Sequence, residues 1–174
     1  MINFNQQSGE FMKTLKILIL SLATVFAFSS FVLADTVTVT GIAYGTTLTS
    51  EETVTPDGNT LVRSTNHSTW VLEGLPEGFP SMLSANCQNM SLRSPEFANL
   101  GLTFNCTATD VDGDGFINVG GDPNPDYSGC FYKSVAGWGK YAGVTRSGKC
   151  AFGGNISADG KDWSLTWSGD FTTP

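Results

Sequence analysis

The stretch from Cys130 to Phe152, CFYKSVAGWGKYAGVTRSGKCAF, decides the fold. β-Branched and aromatic residues are frequent at both of its ends, which is typical of β-strands. The centre of the stretch carries the glycines Gly137, Gly139 and Gly143. Because glycine lacks a Cβ, it can adopt positive φ angles or let two strands approach closely. The stretch therefore predicts two β-strands joined by a tight, twisted glycine corner.

Two short runs resemble a known group of proteins. Residues 137–143, GWGKYAG, followed by Ser147 and Gly148, are similar to the G-T-G-K-Y-A-G…G-S-G run of small secreted bacterial β-barrel proteins. Those proteins, mostly uncharacterised, are related in fold to allene oxide cyclase and the dirigent proteins. Residues 106–114, CTATDVDGD, resemble their C-x-x-x-D-x-D-G-D segment. The chain departs from that pattern at Trp138, where the group usually has Thr, and at Arg146, where it often has Gly. The resemblance implies a barrel fold with a structural glycine corner at Gly137, Gly139, Gly143 and Gly148, and it carries over no catalytic residue.

Hydrophobic alternation with a period of two recurs along the chain, whereas helical periodicity does not. Trp163, Leu165 and Trp167, for example, share one face of the last predicted strand with Phe171. Turn sequences rich in Pro, Gly, Asn and Asp separate the alternating segments. Short strands at this spacing predict a sandwich or a closed antiparallel barrel, and the resemblance favours an all-β, eight-stranded antiparallel barrel, whose interior is filled by side chains or holds one small ligand. The predicted strands span residues 36–44, 61–72, 81–92, 100–109, 115–119, 128–136, 144–152 and 163–171.

The N-terminal part of the chain predicts export. The segment Met12–Ala34 begins with Lys13 and Lys16, continues with an apolar run and ends at a small residue. This pattern is that of a secretory signal peptide, with cleavage after Ala34. The alternative, a membrane anchor, is less favoured because the run is barely of spanning length and contains serine and threonine. We expect residues 1–34 to be leader and signal peptide, and residues 35–174 to be one secreted or periplasmic β-barrel domain with no integral membrane segment after cleavage.

The charge of the predicted mature domain limits its partners. The whole chain has 9 basic and 16 acidic residues, and removal of Lys13, Lys16 and Glu10 leaves 7 and 15, a net charge of −8. Nucleic acids and anionic membrane surfaces would repel such a domain. The charge therefore argues against nucleic acid as a partner.

Four cysteines in an exported chain indicate two disulfide bonds. Cys87 and Cys106, and likewise Cys130 and Cys150, lie symmetrically about predicted hairpin turns, so we predict that these two pairs form the bonds. The rival pairing joins Cys106 to Cys130. A zinc site is less favoured, because the chain contains no C-x-x-C spacing.

The segment Asp110–Gly115, DVDGDG, matches the first half of a calcium-binding loop, in which alternate aspartates and a glycine at the sixth position surround the ion. The second half does not match, because Gly121 occupies the twelfth position, where a bidentate glutamate belongs. The alternative is an acidic turn between two strands. The calcium ligands predicted under the first interpretation are Asp110, Asp112, Asp114, a backbone carbonyl near Phe116, and Asn118 or Asp122.

No complete catalytic set is visible in the sequence, so the catalytic residues are unknown. His67 is the only histidine, and no G-x-S-x-G motif accompanies it, so we expect a solvated or hydrogen-bonded histidine on a strand. Three functions remain open. The first is a non-catalytic exported barrel that binds a small apolar ligand or a protein partner. The second is a cyclase-like or isomerase-like enzyme, by analogy with allene oxide cyclase, and the third is a weak calcium-binding adhesion or matrix module. The oligomeric state and the ligand stay open as well.

Overall fold

β-Strands make up about two thirds of the described residues. The computed structural model describes residues 34–96, 98–124 and 128–174, so the predicted signal peptide, apart from Ala34, lies outside the described residues. Within these ranges the one helical element is a single 3-10 turn, Gly139–Tyr141, and no helix is long and apolar enough to cross a membrane. The strands are β1 (Thr36–Val54), β2 (Thr60–Glu73), β3 (Met82–Arg93), β4 (Asn99–Thr109), β5 (Gly115–Asp122), β6 (Phe131–Trp138), β7 (Thr145–Asn155) and β8 (Asp162–Thr172).

The strands form a closed antiparallel barrel, which confirms the predicted fold class. Each strand pairs with the next one in the chain, and β8 closes the barrel by pairing with β1 from Thr36↔Thr172 to Thr46↔Asp162. Closure pairs β1 with β8 as far as Thr46, so part of β1 has a strand partner on both sides.

The antiparallel order gives the barrel two distinct ends. At the mouth end, strands β1, β3, β5 and β7 finish at Val54, Arg93, Asp122 and Asn155. At the opposite end, which we call the floor end, β2, β4, β6 and β8 finish and β1 begins.

Four aromatic side chains close the floor end. The ring of Phe79 lies 5.2 Å from the ring of Tyr141 and 4.8 Å from that of Phe171, and Phe116 lies 5.2 Å from Tyr141, all in edge-to-face geometry. Phe116, Tyr141 and Phe171 are almost fully buried. Each such side chain contributes roughly 1.5–3 kcal/mol through burial of apolar surface. We call this group the aromatic floor.

The glycine corner positions Tyr141 in the aromatic floor. β6 ends at Trp138, the 3-10 turn follows, and positive φ angles of 60° at Gly139 and 77° at Gly143 turn the chain back into β7. A Cβ on Gly137 would overlap the backbone carbonyl of Tyr141, so this close approach requires glycine as well.

Strand β1 is longer than the predicted segment 36–44. Its pairing with β8 ends at Thr46, but its pairing with β2 continues to Val54↔Thr60. Residues 48–54 are exposed, so they show no alternation of buried and exposed side chains. Periodicity therefore could not reveal this extension, which is held by its pairing with β2.

Candidate functional site

A cavity of about 580 Å³ lies between the aromatic floor and the mouth. Its volume falls within the roughly 300–1,000 Å³ that is typical of small-molecule sites. Inward-facing residues of all eight strands line it, and Gly160 and Lys161 of the β7–β8 turn contribute to its outer part. The cavity therefore extends towards the mouth end.

Glycines on neighbouring strands let large aromatic rings lie against the cavity wall. Gly41 on β1 is opposite Trp167 on β8, and a Cβ there would overlap the indole ring. Gly148 and Gly169 likewise make room for the hydroxyl group of Tyr132, which would lie 2.7 and 2.6 Å from Cβ atoms at these positions. Because the rings occupy space next to the wall, the centre of the barrel stays open.

Both disulfide bonds belong to the cavity wall, and both have the predicted pairing. Cys87 on β3 is directly opposite Cys106 on β4, and the two form one bond. Cys130, just before β6, is bonded to Cys150 on β7. All four residues line the cavity. The bonds therefore tie two pairs of neighbouring strands together around it.

Arg146 projects into the inner part of the cavity. It is the second residue of β7, which starts at the floor end, and only 3% of its surface is exposed. Its guanidinium carbon lies 4.2 Å from the ring centre of Phe116, 5.0 Å from that of Trp167 and 5.9 Å from that of Tyr132. These distances are those of cation–π interactions. The three rings therefore hold the guanidinium group in place.

The two terminal nitrogens of the Arg146 guanidinium group have no acceptor. Neither Nη1 nor Nη2 makes a hydrogen bond, and no ion pair in the described chain includes this residue. Burying an ion costs several kcal/mol, whereas a desolvated cation–π contact contributes about 2 kcal/mol. Burial accordingly lowers the pKa of Arg146 to about 10, so the side chain remains charged at neutral pH.

Other unpaired polar atoms also belong to residues that line the cavity. They are Asn66 Oδ1, Asn118 Oδ1, Asp122 Oδ2 and Trp167 Nε1. Asp122, at the mouth end of β5, uses its other oxygen to accept hydrogen bonds from the backbone N–H groups of Asn124 (2.9 Å) and Gly129 (3.3 Å). Buried polar groups in proteins are normally paired. The four unpaired atoms around this cavity indicate a site in which a bound molecule or water supplies the missing hydrogen bonds.

The acidic loop at the floor end is organised around a lysine. The ammonium group of Lys140 lies 3.0 Å from Asp110 Oδ2, 2.7 Å from Asp112 Oδ2 and 3.8 Å from Asp114 Oδ2. Asp110 Oδ1 also accepts hydrogen bonds from the backbone N–H groups of Asp112 and Asp114. Burial would raise the pKa of Asp110, but the hydrogen bond from Lys140 and those from the backbone outweigh it, and the pKa is lowered.

The structure does not bring all of the predicted calcium ligands together. Asn118 lines the cavity. The ring of Phe116 lies in the aromatic floor, whereas the ligand predicted near that residue is a backbone carbonyl. Asp122 lies seven residues beyond Gly115 along β5, a separation of about 23 Å at the usual rise of a strand. In the described ranges, no group of three or more His, Cys, Asp or Glu side chains is arranged to hold a metal. Calcium binding by Asp110, Asp112 and Asp114 stays a prediction.

Sequence reasoning missed Arg146 as a site residue. The signal was present, because Arg146 alternates with Gly148, Cys150 and Phe152 on the face of β7 that lines the cavity. His67, by contrast, lies exposed on β2, with Nδ1 3.1 Å from Asn86 Oδ1. The histidine therefore lies outside the cavity lining.

The fold and site define a small closed β-barrel with an internal cavity. Among solved structures, the chain is similar to a pterocarpan synthase dirigent protein, with a TM-score of 0.47 and 15% sequence identity over 83% of this chain and 94% of that chain. No protein-family model matches the sequence, and the search of curated proteins finds no match. The function is therefore inferred from the cavity itself.

Proposed function

We propose that this chain is an exported protein that binds a small, largely apolar molecule inside its barrel. The cavity of about 580 Å³ is the observation that carries the proposal. Trp70, Trp163, Trp167, Phe104 and Tyr132 supply aromatic surface to its lining. A concave, mainly apolar site with a few polar groups is the usual form of a small-molecule site.

Two features support export. The predicted signal peptide ends at Ala34, and the described chain contains two disulfides and no free cysteine. Disulfide bonds persist in oxidising compartments and are rare in the cytosol. We therefore place the mature domain outside the cytoplasm, as a secreted or periplasmic protein.

The outer part of the cavity suits entry of such a molecule. Phe152, which is 52% exposed, and the half-buried Trp163 line it towards the mouth end. Ser64, Asn89 and Ser91 add polar groups to the lining. An apolar molecule would gain ring contacts from the aromatic residues, and the polar groups would fix its orientation.

Native mass spectrometry of the protein purified from its own source tests this function. We expect a non-covalent adduct of small-molecule mass that is released when the barrel unfolds. The polypeptide mass alone, together with no uptake of apolar compounds from a test mixture, would contradict the proposal.

Asp122 favours a second function, an isomerase-like or cyclase-like enzyme. Its unpaired Oδ2 belongs to a buried carboxylate that lines the cavity, and a carboxylate in such a position can act as a general base. If the protein is an enzyme, the molecules extracted from the wild type and from Asp122→Asn should be different isomers by liquid chromatography. The same molecule in both proteins would support binding alone.

A further inference from the structure

We propose that the molecule bound in the barrel is an organic carboxylate and that Arg146 binds its anionic group in the inner part of the cavity. This inference rests on the proposed binding function and adds the chemical class of the ligand. Its aromatic or aliphatic body would occupy the cavity on the mouth side of Arg146.

The geometry of the guanidinium group matches a carboxylate. Both terminal nitrogens of Arg146 are buried, belong to a residue that lines the cavity, and make no hydrogen bond. The rings of Phe116, Trp167 and Tyr132 leave the guanidinium little freedom. A planar fork of donors held in one orientation is the arrangement that binds carboxylates through two parallel hydrogen bonds.

A second unpaired donor belongs to the same part of the cavity. The indole Nε1 of Trp167 makes no hydrogen bond, and the ring of Trp167 lies 5.0 Å from the guanidinium carbon of Arg146. Trp70 contrasts with it, because its Nε1 donates to Ser68 Oγ at 2.8 Å. An anion would supply the acceptors that the donors of Arg146 and Trp167 lack, whereas a purely apolar ligand would leave them unpaired.

The carboxylates of the described chain do not satisfy Arg146. Asp122 lines the same cavity, but it is the last residue of β5, at the mouth end, and it makes no ion pair with Arg146. Asp110, Asp112 and Asp114 are paired with Lys140 instead. The negative charge that would balance Arg146 is therefore expected from a ligand.

Isothermal titration calorimetry with two probes of the same shape tests the assignment. 2-Naphthoate carries the carboxylate, and 2-naphthalenemethanol replaces it with a neutral hydroxymethyl group. We expect the wild-type protein to bind 2-naphthoate at least tenfold more tightly than the alcohol. Equal affinities would overturn the assignment of Arg146 while leaving the binding function intact, and binding of neither probe would contradict both.

Variants of two arginines identify the residue responsible. Arg146→Met should abolish the preference for 2-naphthoate and leave binding of the alcohol nearly unchanged, and Arg146→Lys should keep part of the preference. Arg63→Met is the matched control, because Arg63 lies on the exposed outer face of β2 and is not among the residues that line the cavity.

The outcome is decided by the comparison of these variants. A tenfold preference that survives in Arg146→Met, or that disappears in Arg63→Met, would overturn the assignment. Arg146→Gln serves as a second neutral variant if Arg146→Met does not fold, with folding judged by circular dichroism.

Discussion

The guanidinium carbon of Arg146 on β7 lies 4.2 Å above the ring of Phe116 on β5. A positive charge at the inner end of an apolar cavity is thus held by an aromatic ring and not by a carboxylate. Such an arrangement keeps the cation fixed, at a cost in stability to the empty protein.

Substitution of Arg146 by Met should stabilise the ligand-free protein. The change removes a buried charge whose terminal nitrogens have no acceptor and keeps most of the apolar volume. We therefore expect the free energy of unfolding to rise by about 1–2 kcal/mol, as replacement of buried ionic groups by apolar side chains of similar volume often gives. Urea denaturation measures it. Arg63→Met, on the exposed face of β2, is the control and should change stability by no more than about 0.5 kcal/mol. A clearly less stable Arg146→Met would mean that Arg146 has an internal partner.

The lowered pKa of Asp110 predicts a specific response to acid. A carboxylate with a lowered pKa in the folded state stabilises the protein above its unfolded pKa, about 3.9, and this contribution is lost as the pH falls through the folded pKa. Wild type should therefore be more stable than Asp110→Asn at neutral pH, and the difference should shrink below about pH 4. Urea denaturation of both proteins across this range measures it. A difference that stays constant with pH would contradict the role of the charge.

The predicted calcium site can be tested by removing the cation that lies among its carboxylates. Any calcium ion bound by Asp110, Asp112 and Asp114 has to displace the ammonium group of Lys140. Affinity should be weak, in the range of roughly 10⁻⁴ to 10⁻³ M seen for extracellular modules. We expect millimolar calcium to raise the melting temperature of Lys140→Ala more than that of the wild type, and to leave Asp112→Ala unchanged. If calcium and chelator give the same melting temperature in all three proteins, the loop is only an acidic turn.

The disulfide between Cys130 and Cys150 should stabilise the barrel. It closes a loop with a sequence separation of 20 residues, for which the loss of chain entropy in the unfolded state corresponds to about 3 kcal/mol. The free energy of unfolding of the double variant Cys130→Ala/Cys150→Ala, measured by urea denaturation, should be lower by roughly that amount. The double variant Cys87→Ala/Cys106→Ala gives the comparison for the other bond. A loss well below 1 kcal/mol at Cys130 and Cys150 would contradict this estimate.

Alternation predicted the barrel well wherever one face of a strand is buried. Trp163, Leu165, Trp167 and Phe171 on β8 face the interior as the pattern indicates. The exposed end of β1 gave no such pattern and was missed. The disulfide pairs were predictable because Cys87 and Cys106 lie at equal distances from one hairpin turn, so their register places them opposite each other.

The site was harder to predict than the fold. The motif around Asp110 predicted a cation site at the floor end. A local sequence pattern cannot show that Lys140, some 30 residues later, supplies the cation that pairs with Asp110. The sequence did not predict Arg146 as a buried site residue, because arginine is mostly exposed in proteins. Its burial depends on the stacking of Phe116, Trp167 and Tyr132, which come from three other strands.

Titration with N-phenyl-1-naphthylamine, a neutral dye that fluoresces in apolar surroundings, tests the central claim that the barrel cavity binds small molecules. Ser64 lines the cavity, whereas Ser84 is exposed on the outer face of β3, so Ser64→Phe and Ser84→Phe add the same ring inside and outside the barrel. We predict saturable binding of one dye per chain to the wild type and to Ser84→Phe, and at least tenfold weaker binding to Ser64→Phe. Equal binding to both variants, or none to the wild type, would contradict the account.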